Sequence, residues 1–141
     1  MKRTAKAFWQ GDLKIGHGTV TTQSHILNET QYSFNARFAD GIGTNPEELL
    51  AASHAGCFTM SIAYALSQQN FKPGDLNTTA TVSLDMATGS ISLIELDLSA
   101  TAIEGLSPEA FQEIAIQAKE NCVISKALMG LQIELTVNYQ E

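Results

Sequence analysis

The chain's strongest constraint is an alanine-rich apolar run from Leu49 to Leu66, opened by Thr44-Asn45-Pro46-Glu47-Glu48. Asn45 suits a helix cap, Pro46 the first helical position, and the two acids the first turn, where they oppose the positive end of the helix dipole. The run predicts a helix. It is apolar nearly all round, so the helix is expected to be surrounded by protein rather than to lie half-exposed on a surface. Ser53, His54, Thr59 and Ser61 interrupt it, and it falls short of the ~20 predominantly apolar residues that cross a bilayer. It therefore reads as the central helix of a fold and not as a membrane span.

The flanking segments change period. Upstream, Thr19-Val20-Thr21-Thr22 is β-prone, and Tyr32, Phe34, Ala36 and Phe38 alternate with Ser33, Asn35 and Arg37, which predicts a strand with Arg37 pointing away from the aromatic face. Downstream, Ala80, Val82, Leu84 and Met86 alternate with polar residues, Gly89-Ser90 marks a turn, and Ile94, Leu96, Leu98 and Ala100 form the inward face of a second strand. The two strands are set to pair as a hairpin. Ser107-Pro108-Glu109 opens a second helix, with Phe111, Ile114, Ala115, Ala118 and Cys122 on its buried face. Leu131, Ile133, Leu135, Val137 and Tyr139 close the chain as a half-buried strand. The pattern is α+β, mainly antiparallel sheet around two central helices. With 141 residues and no linker-like stretch or repeat, one domain over residues 1–141 is expected.

Charge narrows the partners. A net charge of −7, with no cluster of Lys or Arg, argues against binding a phosphate backbone. The start, Met1-Lys2-Arg3-Thr4-Ala5-Lys6, is basic, but no apolar stretch follows and no export signal is visible. A cytoplasmic setting is expected. There a disulfide between the two cysteines, Cys57 and Cys122, would be transient rather than structural.

Taken singly, each cysteine reads either as a small core hydrophobe or as a reactive thiol. Burial raises a thiol's pKa, so reactivity requires a nearby cation or a helix N-terminus. Arg37 is the candidate cation, its alternative being an exposed strand arginine. As a pair the cysteines gain meaning, because a sulfenic acid on one thiol is captured by a second as a disulfide. Their spacing alone does not establish that they meet. His54, three residues before Cys57, reads as a packed helix residue or as the base of a Cys-His hydrolase, although no oxyanion or third-member motif accompanies it. His17, His25 and His54 lack the paired spacings of a metal site.

The run Gly43-Thr44-Asn45-Pro46-Glu47-Glu48-Leu49-Leu50-Ala51-Ala52-Ser53-His54-Ala55-Gly56-Cys57-Phe58 resembles the first signature of the OsmC family, and Asn121-Cys122-Val123-Ile124-Ser125-Lys126-Ala127-Leu128 its second. Phe8-Trp9-Gln10-Gly11-Asp12 and Phe34-Asn35-Ala36-Arg37-Phe38 are similar to the OsmC branch more than to its organic hydroperoxide resistance sister. The resemblance implies an OsmC-like fold in an intertwined homodimer with sites at the subunit interface. It further implies a peroxidase that reduces organic hydroperoxides with no metal or flavin cofactor, regenerated by a dithiol reductant such as a lipoylated protein. On that resemblance Cys57 is the peroxidatic thiol, Cys122 the resolving thiol, Arg37 the group that stabilises the thiolate and orients the peroxide, and Glu47 the group that holds Arg37. A non-catalytic ligand-binding stress protein on the same fold is the alternative.

Two features bear on that implied site. Ten residues of helix place Glu47 ~15 Å from Cys57, so either the first turns are not helical, or Arg37 spans the gap, or Glu47 serves a site made with the partner subunit. The family's interfacial sites favour the last. Val123 stands where the family usually has proline, which removes a fixed φ just after Cys122.

Overall fold

The computed structural model describes residues 1–140, in which the chain forms two compact units, Met1–Leu49 and the remainder from Leu50. In the first unit, β1 (Ala5–Gln10), β2 (His17–Thr22) and β3 (Thr30–Tyr32) make an antiparallel sheet in that order. Gly18 of β2 lies beneath aromatic rings. A Cβ there would sit 2.4 Å from the Tyr32 ring and 2.7 Å from that of Trp9, so only glycine lets those two rings pack together at 5.3 Å between centroids.

The alternation from Tyr32 to Phe38 predicts a strand, but Phe34–Phe38 forms a short helix, α1. Phe34 and Phe38 satisfy both periods, being two alternate positions apart along a strand and one turn apart on a helix. The cap decides between them. Ser33 stays extended and its hydroxyl accepts the Ala36 N–H at 3.1 Å, which satisfies one of the donors a helix start leaves free. The two phenyl rings then meet at 4.8 Å, and Arg37 lies beside them rather than on an opposite strand face.

α2 runs unbroken over 23 residues, Pro46–Gln68, and starts as the capping residues dictate, with Asn45 Oδ1 accepting the Glu48 N–H at 2.8 Å. Its first turns are helical, which removes one of the three accounts of the Glu47–Cys57 spacing. Just past its end, Asn70 at φ 61° turns the chain so that the Phe71 N–H closes on the Leu66 carbonyl. Its length and composition would suit a membrane span, yet His54, Phe58, Ile62 and Leu66 form a fully buried row in a protein core. The all-round enclosure expected from composition is not met within this chain. Gly56, Met60 and Tyr64, on another face, are exposed, Met60 at 74%.

The second unit's sheet places β5 (Ser90–Thr101) between β4 (Leu76–Asp85) and β6 (Gln132–Gln140). β4 and β5 pair antiparallel, as the hairpin reading expects, whereas β6 pairs parallel to β5. Leu96, Leu98 and Ala100 of β5 face Phe58, Ile62 and Leu66 of α2 and Phe111, Ile114, Ala115 and Ala118 of α3 (Pro108–Asn121) in one core. α3 is capped by Ser107, which accepts the Ala110 N–H, and Tyr139 of β6 stacks on Phe111 at 4.4 Å. The helix ends one residue earlier than its apolar spacing predicts. Cys122 is its C-cap and also the residue that begins α4 (Val123–Ala127), because its ψ of 127° breaks the helical path between the two. Its burial, at 1% exposure, is as expected.

Candidate functional site

The four candidate side chains meet as two pairs, one in each unit. In the first, Arg37 and Glu47 meet fork to fork. Arg37 Nε donates to Glu47 Oε2 at 3.0 Å and an Nη donates to Oε1 at 2.6 Å. Parallel bonds of this kind fix the guanidinium plane as well as its position. Three local devices bring the partners together. The Asn45 amide donates to the Ala36 carbonyl at the end of α1 while its oxygen caps α2, so one side chain ties both helix ends. Gly43, at φ 126°, lets the chain pass the Gln31 carbonyl, which a Cβ would approach to 2.5 Å. Thr44 then bonds its N–H to that carbonyl and is buried.

The pairing lowers the Glu47 carboxyl below its ordinary pKa, chiefly through the Arg37 hydrogen bond, and raises that of Arg37 by the same bond. The guanidinium also sits 5.0 Å from the centre of the Phe38 ring. Arg37 lines a cavity of about 260 Å³ together with Trp9, Leu13, Tyr32, Phe34 and Phe38, an aromatic wall around one cation.

In the second unit Cys57 and Cys122 are both free thiols, their sulfurs 2.8 Å apart. Spacing could not establish this contact, since 65 residues separate them. The core that Phe58 and Ala118 help to build brings the two together. Cys57 is partly exposed and Cys122 enclosed.

With their sulfurs in contact, the two thiols titrate as a pair. Burial raises Cys57, and the contact with Cys122 raises it further, against weaker help from the Ile124 and Val123 amides. Burial also opposes ionisation of Cys122, but the Cys57 hydrogen bond and the amides of Ser125 and Ile124 outweigh it, so Cys122 moves down. Cys122 is the donor of the sulfur pair, and its side chain makes no capping hydrogen bond to α4, so the amides there act on it only by proximity.

His54 does not serve Cys57 as a base. It is fully buried, and its Nε2 lies 2.8 Å from the Ser125 hydroxyl, while Nδ1 has no partner among the described residues. Burial lowers its pKa, which keeps the ring neutral. The packed-residue reading of His54 thus fits, with a polar partner that sequence reasoning did not single out. Ser125 follows Cys122 by three residues as Cys57 follows His54, and that matched spacing is the signal that points to it. Asn45's second role, bonding Ala36, has no counterpart in the sequence pattern.

Fold and site together define an α+β protein with a core dithiol and a clamped arginine. The chain belongs to the OsmC-like protein family, whose pattern matches residues 39–138. It is 40% identical over 139 residues to Peroxiredoxin OsmC of Escherichia coli (strain K12), covering 98% of this chain and 95% of that protein. It is 34% identical over 102 residues to an organic hydroperoxide resistance protein-like protein of Staphylococcus aureus (strain USA300), covering 71% and 73% of the two chains. Among solved structures, an organic hydroperoxide resistance protein OsmC from Legionella pneumophila superposes with a TM-score of 0.69 at 28% identity, covering 96% of each chain.

Proposed function

We propose that this chain is a cysteine-based peroxidase that reduces organic hydroperoxides through Cys57 and Cys122. The observation that carries the reading is the 2.8 Å approach of two free sulfurs, one partly exposed and one enclosed. The relatives' names, a peroxiredoxin and a hydroperoxide resistance protein, support the same class of reaction.

In the proposed cycle the Cys57 thiolate attacks one peroxide oxygen and the O–O bond breaks. The alcohol leaves with a proton and Cys57 becomes a sulfenic acid. The Cys122 sulfur then attacks Cys57, the S–O bond breaks, water leaves and a disulfide forms. A dithiol of the dihydrolipoyl class returns both thiols by exchange, in the reducing cytoplasm that suits such a cycle. Arg37 takes the role of orienting the peroxide and holding the thiolate, and Glu47 that of fixing Arg37. The aromatic wall beside Arg37 favours an apolar organic peroxide over a small polar one.

The active form in this proposal is a homodimer. Support comes from the exposed Met60 and Tyr64 on an otherwise apolar central helix, and from Gly56 between them and the cap, where a Cβ would meet open space. A helical glycine costs ~1 kcal/mol relative to alanine, so close approach of a partner gives it a use.

Cumene hydroperoxide added to the reduced protein should remove both thiols, and Cys122→Ser should stop at the sulfenic acid. Retention of both thiols at equimolar peroxide would end the peroxidase reading and leave a ligand-binding role or a hydrolase. Mixing Glu47→Ala with Cys57→Ser subunits tests the shared site. Recovery of activity is expected in the mixed dimer, and none at all would place Glu47 in its own subunit's site.

A further inference from the structure

α2 carries His54 and Cys57 three residues apart, on one helical face. The α3–α4 junction carries Cys122 and Ser125 at the same interval. The two sets meet twice, at the sulfurs and at the His54–Ser125 hydrogen bond, both 2.8 Å long. His54, Ser125 and Cys122 are exposed by only 0%, 6% and 1%, so this polar group lies within the core. A leucine at position 54 would avoid the desolvation cost that a buried imidazole carries, which makes the histidine informative.

The unpartnered Nδ1 assigns the tautomer. A buried N–H without an acceptor is rarer than a bare acceptor, so the ring proton sits on Nε2 and donates to Ser125 Oγ. The Ser125 hydroxyl is then left as a donor. Ser125 lies one helical turn after Cys122, so the bond that fixes its side chain to α2 also fixes the turn that carries the Cys122 sulfur.

We propose that His54 is a positioning residue for disulfide closure, acting through Ser125 to hold the Cys122 sulfur ready to attack oxidised Cys57. This rests on the peroxidase reading above. In that step the Cys122 thiolate forms the S–S bond as the Cys57 S–O bond breaks, and the departing hydroxide takes a proton from solvent to leave as water. The tether also restrains the segment where Val123 lacks the fixed φ of a proline, two residues from Ser125.

The test separates the two chemical steps in a single turnover of the reduced, full-length protein with cumene hydroperoxide. Cys57 oxidation is followed by the fast loss of one thiol and closure by the loss of the second, with a dimedone-type probe trapping any sulfenic acid that accumulates. Ser125→Ala and His54→Leu should slow closure by about tenfold, the worth of the one buried hydrogen bond that ties α4 to α2. Oxidation of Cys57 should stay within about twofold of the wild type, so sulfenic acid builds up. His54→Gln, which offers an amide N–H near the Nε2 position, and Ser125→Thr should recover most of the closure rate.

Closure at the wild-type rate in both Ser125→Ala and His54→Leu would overturn the proposal. So would an equal fall in both steps, which marks a packing role alone. Ser125→Ala deletes a single oxygen from α4 and keeps the test open should His54→Leu fail to fold. If the wild type itself loses no thiol to peroxide, the peroxidase reading fails, and this proposal with it.

Discussion

Oxidation by peroxide should stabilise the folded chain by an amount that the chain path sets. Cys57 and Cys122 are 65 residues apart, and cross-linking them closes that loop in the unfolded state. The loss of unfolded-chain entropy for a loop of this length is worth about 4 kcal/mol at 25 °C. The native state has little to rearrange, because the sulfurs already touch at 2.8 Å and Cys122 is enclosed by the same core before oxidation. For a chain of 141 residues, that stabilisation raises the melting temperature by roughly 10 °C. The assay is a thermal melt by circular dichroism of reduced and peroxide-treated protein, with mass spectrometry showing an intramolecular bond and Cys122→Ser as the unshifted control. An oxidised sample that is fully cross-linked yet melts at or below the reduced one would refute the reasoning. It would mean that closure distorts the junction between α3 and α4.

Stability should also fall as the pH drops below 6.5, the ordinary histidine value. Burial depresses His54 in the folded state, so the unfolded chain takes up a proton first. The stabilisation is complete above 6.5 and is lost toward the lower folded pKa, at up to ~1.4 kcal/mol per pH unit, a slope that urea melts of wild type and His54→Gln should separate. The Arg37–Glu47 clamp has the same sign at a lower pH. It is intact above the ordinary carboxylate value of 4.5 and is lost only as the pH falls through the depressed Glu47 pKa. Because the Arg37 side chain is 38% exposed, Glu47→Gln should cost no more than about 1 kcal/mol in stability while lowering peroxide turnover, and an unchanged turnover would remove Glu47 from the site. Phe58→Ala, next to Cys57 and fully buried, should lose ~3–5 kcal/mol in denaturant melts, whereas Met60→Ala on the exposed face should cost little in the monomer.

Signals confined to one turn or one strand are legible in the order of residues alone. Asn45-Pro46-Glu47 and Ser107-Pro108-Glu109 start helices because caps and first-turn charges act within four residues. The inward face of β5 follows from strict alternation over Ile94, Leu96, Leu98 and Ala100. Arg37 reads as part of a strand because its aromatic neighbours fit both periods, and the Ser33 cap that makes it helical is a single hydroxyl. The parallel pairing of β6 is equally out of reach, since alternation tells which face is buried but not which neighbour or direction the strand takes.

For the site, sequence alone determined the cast: two cysteines, an arginine, a glutamate and a buried histidine, each in a recognisable local context. Only the tertiary structure decided which of them touch. The Cys57–Cys122 contact and the His54–Ser125 bond span 65 and 71 residues, and such contacts are set by how the α2 and α3 faces pack on β5. It also decided that Cys57 stays partly exposed while Cys122 is enclosed. That depends on which side of each helix the core covers, a matter of packing that no local pattern of residues distinguishes.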